Sequence, residues 1–245
     1  MFPSKREISE KEIEIDNNSR KKARRRKLFY WLIIDFTMAF VIIALLLYKP
    51  GLYNPINSNP GISEDNEVSP YLTHLSSEIY NAAQIGDPFE ITITQEAIND
   101  IITQANWPIE SEGILLYAPA ALFIPGMVVF MGTADFKGVE LIITIELNPQ
   151  IDGEGFINLN VEKVKIGAMN ITPLAKITAK KMYAHRLATV PIDRYSLQTQ
   201  IAASLLNNEP FNPVFKIDHK KIRISKITIE NEKLIAYLTP ETRAH

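Results

Sequence analysis

The sequence predicts an α+β fold, in which one N-terminal transmembrane helix precedes an outer domain with a curved antiparallel sheet packed on helices. An apolar run of twenty residues, 29–48, lies directly behind a strongly basic run. In each of the segments 127–136, 139–147 and 156–166, apolar side chains recur at alternate positions and form one apolar face, which is typical of strands with one covered face. Segments with helical spacing of apolar residues precede and follow these strands. The chain therefore combines a membrane-spanning element with a domain that has its own core.

The apolar run contains one charged residue, Asp35. Twenty helical residues are about 30 Å long, which matches the hydrocarbon core of a bilayer. Seven of the eight residues at 20–27 are Lys or Arg, whereas Lys49 is the only basic residue directly beyond the run. This asymmetry predicts a cell-membrane protein with a cytoplasmic N-terminus and its C-terminal domain outside. Because no Ala-x-Ala cleavage site follows the run, we expect an uncleaved anchor and not a signal peptide.

Composition divides the chain into a basic cytoplasmic tail (1–27), the transmembrane helix (28–48), a linker rich in Pro, Gly and Asn (49–68) and an extracytoplasmic domain (69–240). The tail holds ten Lys or Arg against five Asp or Glu, and residues 1–19 have the composition of a disordered segment. Beyond the span, sixteen Lys or Arg face twenty-two Asp or Glu, which argues against a nucleic-acid partner. A domain of about 170 residues is large enough for one sizeable core.

Local signals then assign the elements of the outer domain in chain order. Ser69 caps a first helix and Pro70 begins it, since Pro at the first helical position loses no hydrogen bond. Thr94 caps the next helix. Alternation predicts strands over 89–93, 127–136, 139–147, 156–166, 214–217, 220–229 and 233–238, and helical spacing predicts helices over 95–105, 173–188 and 195–207, with a break at Pro191.

The same alternation predicts which side chains of the sheet face the core. Ile143 and Leu159 should lie on the covered face, whereas Glu140 and Asn158 should lie on the other. Glu140 and Glu146 should then face solvent, where they would not form a buried pair of carboxylates.

The uncharged segment 113–126 contains two prolines, which argue against a regular central strand. It has two interpretations. One is a buried strand pair around a turn, and the other is an apolar lip that contacts the bilayer or a lipid chain. The lip would have Leu122, Phe123 and Ile124 at its centre. The predicted ligand-binding residues are Leu116, Leu122, Phe123, Ile124, Met127 and Phe130.

Charged residues in and beside the span predict contacts with lipid or with other membrane proteins. Arg24, Arg25 and Arg26 should attract anionic lipid of the cytoplasmic leaflet. A carboxylate inside a span costs about 2.5–3.5 kcal/mol on insertion scales. Asp35 is therefore either a functional group, which is protonated or pairs with a basic residue of a partner, or a shallow acid that a long apolar span tolerates.

No pattern in the sequence is typical of catalysis or of a metal site. The four His are scattered without ligand spacing, and the chain has no Cys for disulfides or thiolate ligands. Nucleophile elbows and phosphate-binding Gly loops are also missing from the sequence. We therefore predict no catalytic residue, no cofactor, no metal and no enzymatic activity.

Two segments carry a family resemblance. Residues 88–102, PFEITITQEAINDII, form a strand and a capped helix with Asn near its centre; residues 152–182, DGEGFINLNVEKVKIGAMNITPLAKITAKKM, form a turn, a strand and a helix led by Pro. Behind a single N-terminal span, this order resembles the YpmS-type family of uncharacterised bacterial membrane-anchored proteins. The long basic tail and the apolar segment 113–126 depart from that family's pattern.

The resemblance implies an anchored outer domain and supplies no catalytic residue. The order of strands and helices is also similar to the tubular lipid-binding architecture, in which a curved sheet wraps a long helix and leaves an apolar channel. We therefore expect a non-enzymatic extracytoplasmic module that binds membrane lipid or another apolar ligand. The alternative is a structural or assembly subunit, whose partners are other proteins of a larger membrane complex.

Overall fold

The computed structural model describes residues 5–55, 69–104, 107–111, 113–189 and 196–241. The chain forms two compact units that divide between Leu45 and Leu46. The first unit contains helix α1 (Lys5–Leu46) except for its last residue. Since α1 begins at Lys5, the expected disorder of residues 1–19 is wrong for residues 5–19. Within α1, the 21 residues Arg26–Leu46 have a mean hydropathy of 2.3 and none is buried, so this helix is long and apolar enough to cross a membrane.

The second unit contains four helices and ten strands within the described residues. The helices are α2 (Pro70–Ile85), α3 (Gln95–Thr103), α4 (Thr172–Thr189) and α5 (Leu197–Asn207). The strands are β1 (Phe89–Thr94), β2 (Ile109–Ser111), β3 (Ile114–Ile124), β4 (Met127–Phe136), β5 (Val139–Ile151), β6 (Ile157–Ile166), β7 (Met169–Asn170), β8 (Val214–Ile217), β9 (Lys220–Glu230) and β10 (Lys233–Glu241). The predicted helices and strands are confirmed, β2 and β7 are additional, and β3 lies in the segment for which the sequence left two interpretations. The predicted break at Pro191 lies outside the described residues.

The strands form two antiparallel sheets where the sequence predicted one. The smaller sheet has the order β1-β10-β9-β8, and the larger one follows the chain from β2 to β7. The α+β class with curved antiparallel sheets packed on helices is as predicted. The number of sheets differs because β1 pairs with the distant β10, from Phe89 opposite Leu238 to Thr94 opposite Lys233.

The uncharged segment forms strand β3 and the turn into β4. The pairing of β3 with β4 shifts around Ala118 and Pro119, where Ala118 adopts a φ of 50°. This bulge accommodates Pro119 in a strand that is irregular and that forms a sheet edge beyond β2, which agrees with the expectation that the prolines argue against a regular central strand. Pro125 and Gly126, the latter with a φ of 77°, form the two-residue turn. A strand pair around a turn is therefore the correct interpretation.

Helix α3 closes the edge of β3 beyond the short strand β2. The Asn99 side-chain amide donates to the Ala121 carbonyl at 2.8 Å, and its oxygen accepts from the Ala121 N–H at 2.6 Å. The Gln95 amide oxygen accepts from the Phe123 N–H at 2.9 Å. These side chains take the place of a further strand. They pair backbone N–H and C=O groups at the edge of β3 and fix the orientation of this strand.

Two hydrophobic clusters form the core of the domain. One lies at the smaller sheet and includes Ile222 and Leu238, which are 0% and 1% exposed. The other lies at the larger sheet and includes Phe123 and Ile229. Strand β9 contributes a buried residue to each cluster, and Leu234 packs against both. The two sheets therefore share one continuous packing network.

Candidate functional site

The larger sheet is covered on both faces. One face packs against α3, α5 and β9 through residues that include Phe123, Val128 and Leu147. The other face, here called the cavity face, carries Leu122, Ile124, Val129, Met131, Ile142, Thr144 and Glu146 by strand register. Its centre is also buried, since Ile142 is 2% exposed and Thr144 is 5% exposed.

The predicted faces are correct in register, but the expectation of a solvent-facing second side is wrong at the centre of the sheet. Glu140 is exposed as predicted, whereas the Glu146 side chain is only 12% exposed. Asn158 lies on the cavity face but is half-buried, and Ile143 and Leu159 are half-buried on the core face. The centre of the second face is buried because the chain before α2 packs on it.

The cover of the cavity face is the segment 48–53, here called the roof segment. The Tyr53 hydroxyl donates to the carbonyl of Ala118 in the bulge at 2.7 Å and is hydrogen-bonded to the Thr133 hydroxyl at 2.8 Å. Lys49 lies with its ammonium 3.4 Å from a Glu140 carboxylate oxygen. Composition assigned Tyr48 to the transmembrane helix and residues 49–53 to the linker, whereas α1 ends at Leu46, two residues before the predicted end of the span. Residues 56–68 of the predicted linker lie outside the described residues.

Hydrogen bonds, nearby charges and burial shift the pKa values of the groups beside the roof segment. Tyr117 donates to Glu140 at 2.6 Å, and this bond raises the pKa of Tyr117 to about 12, because ionisation would place a second anion beside the carboxylate. The same bond, and then Lys49, lower the pKa of Glu140. Burial raises the pKa of Tyr53. Near neutral pH, both tyrosines are therefore hydroxyl donors and Glu140 is an anion.

A cavity of about 330 Å³ lies between the roof segment and the cavity face. Its volume is near the lower end of the roughly 300–1,000 Å³ range of small-molecule sites. The roof contributes Tyr48, Pro50 and Leu52; the floor is Leu122, Ile124, Val129 and Met131; one end consists of Thr144, Glu146, Lys165, Gly167 and Ala168. The walls are thus apolar except at that end.

The polar end contains an ion-pair cluster and a hydroxyl without a partner. Glu146 contacts both Lys165 and Lys163, the latter at 3.7 Å. The Thr144 hydroxyl is buried and has no hydrogen-bond partner within the part of the chain that the structure describes. A buried hydroxyl left in that state costs about 1–3 kcal/mol. The arrangement can therefore bind a ligand that is apolar along its length and polar at one tip.

The structure divides the predicted ligand-binding residues between the two faces of the larger sheet. Leu122 and Ile124 line the cavity, and Met127 pairs with Ile124 but does not line it. The remaining three lie on the core face: Phe123 is 4% exposed, and Leu116 and Phe130 are half-buried. A lip centred on Phe123 is therefore wrong, because neighbouring residues of a strand point to opposite faces.

The predicted membrane-contact residues all lie in α1. Asp35 and Arg26 have exposed side chains, whereas the side chains of Arg24 and Arg25 lie outside the described ones. Their contacts with lipid or protein partners stay predictions. The described residues contain no group of three or more His, Asp or Glu that could hold a metal ion.

Sequence reasoning missed the roof and the polar end of the cavity. Pro50 and Gly51 indicated a linker, and no local pattern distinguishes a linker from a segment that packs on a distant sheet. Thr144 did carry a signal, because it is the only hydroxyl in the strand 139–151. Lys165 carried none, since a lysine on an alternating strand normally faces solvent.

Comparisons with protein-family models, with curated proteins and with solved structures find no match for this chain. The resemblance to the YpmS-type family therefore rests on the residues quoted for it.

Proposed function

We propose that this chain is a membrane-anchored protein whose C-terminal domain binds an apolar ligand, such as a lipid chain, without enzymatic chemistry. The observation that carries this function is the cavity between the roof segment and the sheet. Leu52 on one side and Leu122, Ile124, Val129 and Met131 on the other give it a largely aliphatic lining. A ligand in this space would supply the packing contacts that the lining side chains otherwise lack.

The position of the roof in the sequence supports a ligand that comes from the bilayer. Tyr48 follows α1 by two residues, and α1 ends with the apolar stretch Arg26–Leu46. A membrane that holds this stretch is therefore the nearest reservoir of apolar molecules for the cavity. The tubular lipid-binding analogy differs in placing its channel between the sheet and a helix, whereas this cavity is covered by the roof segment.

The orientation of the anchor is a further part of the proposal. The excess of Lys and Arg at residues 1–27 supports a cytoplasmic N-terminus and an outer domain. Protease added to intact spheroplasts should then remove the domain and leave a short membrane-bound stub. A domain that survives until the cells are lysed would reverse the orientation, and a mature protein that starts near Tyr48 would mean that the span is cleaved off.

The binding function is tested by native mass spectrometry of the full-length protein released from lipid nanodiscs. We expect the protein to retain one alkyl-chain molecule under conditions that strip loosely attached lipid. A variant in which the cavity is filled should lose that molecule, and retention by both proteins would contradict the proposal.

A second candidate function, a structural subunit of a membrane complex, is supported by helix α4. Leu174, Ile177 and Met182 are each more than half exposed on this helix. Several large apolar side chains in solvent are typical of a protein contact. A photoreactive residue at position 174 should then cross-link to another protein in native membranes, whereas cross-linking to lipid alone would contradict this function.

A further inference from the structure

We propose that the cavity binds a single-chain amphiphile with a monoanionic head group, and that Thr144 and Lys165 contact this head. The inference rests on the proposed function, because it names the class of ligand for the same cavity. The alkyl chain would lie along Leu122, Ile124 and Val129, beneath Leu52 of the roof.

Strand register brings the two head-group residues together. Thr144 of β5 pairs directly with Lys165 of β6, and both line the same end of the cavity. Side chains of such a cross-strand pair have Cβ atoms about 4.5–5.5 Å apart. One oxygen-bearing group can therefore contact the hydroxyl and the ammonium together.

The charges at this end favour an anion. Glu146 is the acid of the cluster, and it is shared by two lysines, Lys163 and Lys165. The cluster therefore has a net charge of one positive unit, which a monoanion would neutralise. The Lys163 side chain is 53% exposed and does not line the cavity. The Lys165 side chain lines the cavity and is 32% exposed. A cationic head would instead meet a like charge.

The Thr144 hydroxyl independently indicates that the ligand has a polar atom at this end of the cavity. Its hydroxyl is buried at the cavity without a partner among the described residues. Valine has nearly the same shape and would avoid the cost of an unpaired hydroxyl. A hydroxyl donates readily to an anionic oxygen, and such charge-assisted bonds are the stronger class.

The volume selects one alkyl chain. A cavity of about 150 Å³ holds one benzene molecule, so the 330 Å³ here suit a chain of about a dozen carbon atoms. Lipids with two long chains exceed this space. The head can be a carboxylate, as in a fatty acid, or a phosphate ester in its monoanionic form, since both present acidic oxygens at the end of the chain.

The test uses the full-length protein in nanodiscs of zwitterionic lipid and a dodecanoate probe with a diazirine near the end of its chain. After irradiation, peptide mapping should place the label on the cavity floor within residues 122–131. Unlabelled dodecanoate or dodecyl phosphate should displace the probe at concentrations at least about tenfold lower than dodecanol or dodecyltrimethylammonium do. The better of the two acids identifies the head.

Matched variants locate the head group. Lys165→Met and Thr144→Val should each weaken competition by dodecanoate at least about tenfold while leaving dodecanol unchanged. Lys163→Met removes the other lysine of the Glu146 cluster, which carries part of its positive charge but does not line the cavity, so it should weaken competition less than Lys165→Met does. Thermal melts of each variant show whether the fold is retained, and Thr144→Val is a second test if Lys165→Met does not fold.

The outcomes separate the two claims. If dodecanol competes as well as dodecanoate, or if Lys163→Met weakens binding as much as Lys165→Met, the head-group inference is overturned and apolar binding in the cavity stands. If no probe labels the floor, both the inference and the proposed function are overturned.

Discussion

Replacing Phe123 with alanine is expected to lower the free energy of unfolding of the domain by about 3–5 kcal/mol, and Phe123→Asp is expected to prevent folding. Phe123 is 4% exposed and belongs to the cluster with Val128, Leu147 and Ile229. The alanine variant loses the apolar contact of a whole ring and leaves a cavity. The aspartate variant places an unpaired carboxylate in the same space.

The adjacent Leu122 is the matched control, because it lies on the opposite face and already borders a cavity. Leu122→Ala should cost only about 1 kcal/mol, since the side chain is half-buried. Denaturant melts of the full-length protein, followed by near-ultraviolet circular dichroism, measure both variants. Equal losses, or a larger loss for Leu122→Ala, would show that the assigned faces of β3 are interchanged.

Ile222→Ala is expected to lower the free energy of unfolding by about 2–5 kcal/mol and to destabilise both sheets together. Ile222 is fully buried at the smaller sheet. It lies on β9, whose Ile229 belongs to the cluster of the larger sheet, and Leu234 packs against both clusters. Loss of packing at one sheet should therefore weaken the other.

Hydrogen exchange measures this coupling strand by strand. In Ile222→Ala, amides of β4 and β5 should lose protection along with those of β9 and β10. The exposed neighbour Lys221 provides the control, and Lys221→Ala should change stability by less than about 0.5 kcal/mol. Loss of protection confined to β1 and β8–β10 would mean that the sheets unfold independently.

Those parts of the fold that depend on local chemistry could be predicted from the sequence. Ser69 and Thr94 cap helices as expected, since each side chain accepts a hydrogen bond from the first turn. Strand β4 begins and ends at the predicted residues, because turn residues bound it on both sides, Gly126 before it and Lys137 and Gly138 after it. Such signals involve residues a few positions apart and do not depend on the rest of the chain.

The features that sequence reasoning missed depend on distant parts of the chain. Phe89 pairs with Leu238, and no pattern in either strand names its partner, so the second sheet was not predicted. The bulge at Pro119 is held by Tyr53, which lies 65 positions from the carbonyl it contacts. Pro119 therefore argued correctly against a regular strand, but no local pattern showed that tertiary contacts keep this irregular segment in the sheet.

The candidate site was predicted in part, for the same physical reasons. Leu122 and Ile124 belong to the cavity, but Phe123 between them does not, because a strand divides an apolar triplet between its two faces. Glu146 was assigned to solvent because polar residues on an alternating strand usually face water. The roof segment reverses this assignment, and composition gives no sign of where that segment packs.

The most direct test of the central claim compares Val129→Trp with Val139→Trp by native mass spectrometry of the full-length protein from nanodiscs. Val129 lines the cavity, whereas Val139 is 47% exposed at the start of β5. Both substitutions add the same bulk, and thermal melts confirm that each variant is folded. We predict that wild type and Val139→Trp retain one alkyl-chain molecule and that Val129→Trp retains none. Equal retention by the two variants, or no retained molecule in any of the three proteins, would contradict an apolar-ligand site beneath residues 48–53.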